Sequence, residues 1–143
     1  MADVPEKDKR IRVLSISDKF TRELISTLEA HKDEVEFIGN TESGREGLEK
    51  AKFASPDVVL VSAFVPDMDA IEVIRVLRTK STRLHIISAS LSNNPEWIWE
   101  SLQAGANDYL SLGVTSDGLF HLIQRFHYRR VLLEKYHGRD KQG

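Results

Sequence analysis

The stretch Pro56-Asp57-Val58-Val59-Leu60-Val61-Ser62-Ala63-Phe64-Val65-Pro66-Asp67-Met68-Asp69 decides the fold of this 143-residue chain. Its apolar run is opened by Pro-Asp and closed by a turn containing Pro66, and it shows no polar-apolar alternation. That pattern suits a strand buried on both faces of a parallel sheet. The segment that follows is helical. Ile71, Val73, Ile74, Val76 and Leu77 form a broad apolar stripe near the 3.6-residue period, with Glu72, Arg75 and Arg78 between them.

Working outward, the alternation of strand and helix repeats along the chain. Residues 11–17 read as a first strand, and Phe20, Leu24, Ile25 and Leu28 mark one face of a helix after it. Residues 35–38 form a short second strand. Ser43-Gly44-Arg45-Glu46 is a capping box, in which the Ser43 hydroxyl and the Glu46 carboxylate satisfy each other's free backbone N–H groups at the start of the next helix. The third strand, 58–63, is followed by a helix over 70–79, and the fourth, 84–89, by one over 96–104. Asn94-Pro95 supplies that helix with an N-cap and a proline at its first position, and Gly105 ends it. A short fifth strand covers 108–110, and a last helix runs from about 116 to 137 with Gly118 in its first turn. Strands separated by helices of this length require right-handed crossovers, giving a doubly wound five-stranded parallel sheet flanked by five helices.

Bulk properties bound the function. The chain is 41% hydrophobic and 29% charged, ordinary for one globular domain. It lacks a long apolar run, and residues 1–10 are too charged for a signal peptide, so a cytoplasmic location is expected, without membrane contact. Cysteine is absent, which excludes disulfides and thiolate chemistry. The net charge of −2 conceals an asymmetry: residues 125–143 hold six Lys or Arg against two acids, while the rest holds 14 basic and 20 acidic residues. The basic residues are few and dispersed, so the tail reads as a solvated helix end and nucleic acid is not expected as a partner.

In sheets of this kind function gathers beyond the carboxyl ends of the strands. Ser17, Asp18, Ser62, Ser90 and Leu112 all lie at or just past strand ends, and the topology makes them neighbours. Strand, turn and helix around Ser62, together with Gln103-Ala104-Gly105-Ala106-Asn107-Asp108-Tyr109-Leu110, resemble the receiver domain of response regulators over about residues 10–128. The resemblance implies the flavodoxin-like receiver fold with strand order 2-1-3-4-5. The family carries a phosphoacceptor aspartate at the position of Ser62, an acidic pair at Ser17 and Asp18, a Ser or Thr at Ser90, and Lys-Pro at Leu112 and Gly113. The spacing is kept, with 44 positions from Asp18 to Ser62, 28 to Ser90 and 22 to Leu112. The nucleophile, one acid and the Lys are replaced.

Phosphoryl transfer to such a pocket needs a carboxylate nucleophile, Mg²⁺ and a cation opposite it. Ser62 is an unactivated hydroxyl with no general base beside it, since His85 begins the fourth strand at the sheet's other end. Ser62 reads as a local hydrogen-bonding group, and Asp18 as a cap for the first helix. Asp67 and Asp69 place favourable charge at the start of the helix over 70–79. No catalytic residue, metal ligand or cofactor is expected. The reading is a pseudo-receiver, a phosphorylation-independent signalling module working by protein contacts. Its alternatives are phosphorylation on a displaced acid, Asp67, Asp69 or Asp18, or a small ligand held in the altered pocket.

Partner contacts fall on the helix over 96–104, the fifth strand and the last helix, the face the family uses. Trp97 and Trp99 point about 200° apart on one helix, so they cannot both face the core. Tyr109 stands at the family's aromatic switch position. Along the last helix Phe126 belongs to the sheet-covering stripe, but apolar residues continue through Val131, Leu133 and Tyr136. Trp97, Trp99, Tyr109, Phe126, Val131 and Leu133 are therefore the candidate contacts for a signalling protein, an attached output domain or a second copy paired through the last helix. The expected organisation is a flexible segment at 1–10, a receiver-like domain at 11–128, and a helix extension with basic tail at 129–143.

Overall fold

The computed structural model describes residues 10–17, 26, 28–111 and 117–142. Five strands, β1 (Ile11–Ile16), β2 (Val35–Thr41), β3 (Val58–Ser62), β4 (His85–Ser90) and β5 (Asp108–Ser111), form one sheet in the order β2-β1-β3-β4-β5. Every neighbouring pair is parallel. Four helices are present among the described residues: α1 (Gly44–Ala54), α2 (Ala70–Lys80), α3 (Pro95–Ala104) and α4 (Asp117–Gln142). The additional helix expected around Phe20–Leu28 falls mostly outside the described residues, of which Ser26, Leu28 and Glu29 are helical.

β3 is buried along its whole length, as its unbroken apolar run requires, and its side chains alternate between two cores. Val58 and Leu60 join Ile11, Val13, Ile87 and, from α4, Leu119, Ile123 and Phe126. Val59 and Val61 join Leu14, Ile16, Ile86 and the inner stripe of α2, Val73, Ile74 and Leu77. On that second face α1 lies almost directly on β1, because Gly47 leaves no side chain between them. A Cβ there would stand 2.5 Å from Ile16 Cδ1.

α3 is attached differently. Ser101 is its one buried residue, and the Ser101 hydroxyl meets that of Ser88 on β4 at 2.8 Å. Its N-terminus is capped as expected, with Asn94 Oδ1 accepting from Glu96 N at 2.9 Å.

Two boundaries moved by more than one residue. β2 runs three residues past Ile38, to Thr41, because a bulge at Gly39 (φ 143°) restores pairing with β1 beyond the apolar segment. α4 continues past His137 to Gln142. No proline interrupts it, and a single interior glycine, Gly138, costs only about 1 kcal/mol.

Candidate functional site

The sheet topology brings the carboxyl ends of β1, β3 and β4 together, and with them Ser17, Ser62 and Ser90, all buried. Asp18 and Leu112 lie outside the described residues. Each of the three serines is held by its strand end. Ser17 donates its N–H to Thr41 O at 2.9 Å and its carbonyl accepts from Asn40 Nδ2 at 3.0 Å. Ser62 Oγ accepts from the N–H of Phe64 at 3.2 Å, and Ser90 Oγ accepts from the N–H of Ser92 at 3.1 Å. In both, the hydroxyl closes a local turn where the chain leaves the sheet.

The acids of the following loop do something the sequence reading missed. Asp69 caps α2, accepting from Ile71 N at 3.0 Å. Asp67 does not serve that helix. It reaches across to the preceding one, accepting from Gly44 N at 2.7 Å, the Ser43 hydroxyl at 2.8 Å and Arg45 N at 3.2 Å. Those donors, the Gly44 N–H first and the Ser43 hydroxyl second, hold its carboxyl below the usual carboxylate range. The capping box is corrected accordingly: Ser43 Oγ accepts from Glu46 N at 3.2 Å, but the carboxylate answering the helix start is that of Asp67. Serving α1 from a loop 23 positions further along, this cap has no local sequence signature.

Beside Ser90, the Tyr109 hydroxyl lies within hydrogen-bonding distance of Ser90 O and Ser92 O, both at 3.3 Å, and of Asn93 Oδ1 at 3.1 Å. Its single proton is shared among these acceptors. Burial is the main cause raising the phenol's pKa. Trp97 packs edge-on against the Tyr109 ring, centroids 6.5 Å apart, whereas Trp99 is 59% exposed. The about 200° separation of the two indoles thus leaves Trp97 half-buried and Trp99 at the surface. Of the other candidate contacts, Val131 and Leu133 are exposed. Phe126 is not available as a surface contact: it is buried in the core, edge-on to His85.

A second polar cluster sits at the sheet's opposite end. His85, 3% exposed, meets Asp108 through Nε2 at 3.0 Å, and Asp108 also pairs with Arg125 of α4 at 3.2 Å. His85 Nδ1 is buried without a hydrogen-bond partner. Burial pushes the imidazole below its ordinary pKa, and Asp108 offsets this only in part.

Comparison with known proteins fixes the family. A profile of the response regulator receiver domain matches residues 13–124. This chain belongs to that family. The receiver is 33% identical over 103 residues to a protein-glutamate methylesterase/protein-glutamine glutaminase of Nocardioides sp., covering 70% of this chain and 28% of that protein. It is 27% identical over 115 residues to the chemotaxis protein CheY of Bacillus subtilis, covering 80% and 95% respectively. The REC domain of AraT, a response regulator from Geobacillus stearothermophilus, superposes with a TM-score of 0.77 at 20% identity, covering 87% of this receiver and 98% of that chain. The receiver spans about a third of the methylesterase relatives it matches, 28% and 32% in two of them. It is thus a receiver domain of two-component signalling. Among its described residues no helix is long and apolar enough to cross a membrane.

Proposed function

We propose that this receiver works without being phosphorylated, as a non-catalytic pseudo-receiver of the cytoplasm that passes signals by protein contact. The observation that carries the reading is Ser62. Where the family places its phosphoacceptor aspartate, this chain ends β3 on a buried hydroxyl already accepting from the backbone of its own turn. A hydroxyl without an adjacent base is a weak nucleophile, and His85, the buried imidazole, lies at the far end of the sheet.

The remaining groups support the same reading. Mg²⁺ favours sites supplied with one or two carboxylates. The described strand ends present the hydroxyls of Ser17, Ser62 and Ser90, and the sequence keeps a single carboxylate at these positions, Asp18, which leaves less negative charge for the ion than the family's acidic pair and aspartate supply. Asp67, a candidate for a displaced acceptor five positions after Ser62, has its oxygens engaged by three donors of α1 and its cap. Tyr109 is tied to the loop after β4, which favours one ring orientation independent of any phosphoryl group.

Contact surface is then the working part. Trp99 on α3, and Val131 and Leu133 on α4 beyond the sheet, are the exposed apolar groups we assign to a partner protein, an attached output domain or a second copy. Residues 11–128 form the receiver unit in this reading, and 129–143 the extension that reaches the partner.

Incubation with Mg²⁺ and a small acyl phosphate, followed by intact-mass measurement, tests the first half. The mass should not change. A hydroxylamine-labile gain of one phosphoryl group overturns the reading. Co-purification from the native cell tests the second half: Trp99→Ala combined with Leu133→Ser should lose the partner that wild type retains, and retention by the variant removes these residues from the interface.

A further inference from the structure

Away from the strand ends just described, the amino-terminal side of the sheet carries a groove of about 310 Å³ between the C-terminal turns of α1 and α2. Its floor is apolar, formed by Leu48, Leu77 and Leu84, and its rim carries Lys52 and Lys80, one from the last turn of each helix. We propose that this groove binds a small organic anion with an apolar tail, its tail on the three leucines and its head group between the two ammonium groups.

The ordinary role of lysines in a last helical turn is to answer the free carbonyls and the negative end of the helix dipole. Here arginines share part of that role. Arg12 Nη1 donates to Ala54 O and, at 3.2 Å, to Ser55 O at the end of α1. Arg78 Nη1 donates to Ser81 O at 3.0 Å and Thr82 O at 3.2 Å, just beyond the end of α2. Neither Lys52 nor Lys80 has an ion-pair partner among the described residues; the Lys52 ammonium lies 5.9 Å from the centroid of the exposed Phe53 ring.

Charge and shape together select the ligand class. Two cations without ion-pair partners on the rim of one groove raise the local concentration of an anion. The leucine floor contributes only to a ligand with hydrocarbon to bury. A simple inorganic anion leaves the floor unused, and a neutral alcohol leaves the cations unanswered. The volume lies at the lower end of the range typical of small-molecule sites, about 300 to 1,000 Å³. The groove is therefore sized for a short-chain carboxylate or a comparable amphiphile.

The test uses the whole chain with labelled leucine methyl groups and three probes: hexanoate, 1-hexanol and inorganic phosphate. Hexanoate should produce saturable shifts at Leu48, Leu77 and Leu84, and the double variant Lys52→Gln/Lys80→Gln should weaken its binding by about tenfold or more. Both lysines are exposed, so the variant should fold as wild type does, which its unperturbed methyl spectrum verifies. The proposal is overturned by absence of saturation with hexanoate, by equal binding of hexanol or phosphate, or by undiminished affinity in the double variant. None of these results bears on phosphorylation at the other end of the sheet.

Discussion

Replacing Arg78 by Met keeps much of the aliphatic stem and removes a guanidinium that joins three elements. Its Nε and Nη2 donate to Gly105 O at 3.0 and 2.8 Å, Nη2 also to Asn107 Oδ1 at 2.6 Å, and Nη1 to Leu84 O at 2.8 Å as well as to the carbonyls after α2. None of these acceptors is a carboxylate, so the side chain acts as a clamp on backbone between α2, α3 and the start of β4. Without it, water can reach the exposed carbonyl of Thr82, but those of Ser81, Leu84 and Gly105 are part-buried. At about 1 to 3 kcal/mol for each acceptor left unanswered, the loss comes to about 3 kcal/mol. For a chain of this length that corresponds to a fall in Tm of about 10 °C. Arg78→Lys, with a charge but no planar fork, should recover about half. Urea unfolding followed by the fluorescence of Trp97 and Trp99 measures both, with an unchanged m-value as the control. If Arg78→Met falls within about 0.5 kcal/mol of wild type, or matches Arg78→Lys, the clamp is not structural in the sense argued.

Three further outcomes follow from other contacts. His85 is held neutral by burial, so the unfolded chain binds a proton that the folded one resists; stability should fall as pH drops below 6.5, and His85→Phe should flatten that slope in pH-dependent denaturation curves. Asp67 has the opposite chemistry but the same sign: its folded carboxyl titrates below 3.8, so Asp67→Asn should lower thermal stability near neutrality and cease to differ from wild type once acid protonates the carboxyl in both states. Gly47→Ala should cost about 1 to 3 kcal/mol by chemical denaturation, since the added methyl collides with Ile16 and α1 must lift from β1.

The sheet was readable because its strands announce themselves. Val58–Val61 and Ile86–Ile87 are apolar without alternation, and between helices such runs mark the strands of a doubly covered parallel sheet. The gathering of Ser17, Ser62 and Ser90 was also readable, since residues ending neighbouring parallel strands must converge. What stayed hidden depends on contacts between distant segments. Asp67 looks like a cap for the helix just after it, and only the placement of α1 beside its loop shows the true recipient. Arg78 reads as one more charge between apolar positions of α2, with nothing local to mark its span to Gly105. Phe126 was legible as sheet-covering but also nominated for a partner, and its burial against His85 decides between the two. The bulge at Gly39 changes the end of β2 without leaving any mark on hydropathy.

The pairing of Ser88 with Ser101 sets the energetics of α3 apart from the rest of the domain. A helix whose one fully buried residue is a serine, with Trp97 and Ala104 only half-buried against the core, can detach at a fraction of the global unfolding free energy. Its amide protons should therefore trade with deuterium well before those of β3. The element bearing Trp99 would then be the one most readily remodelled by whatever docks there.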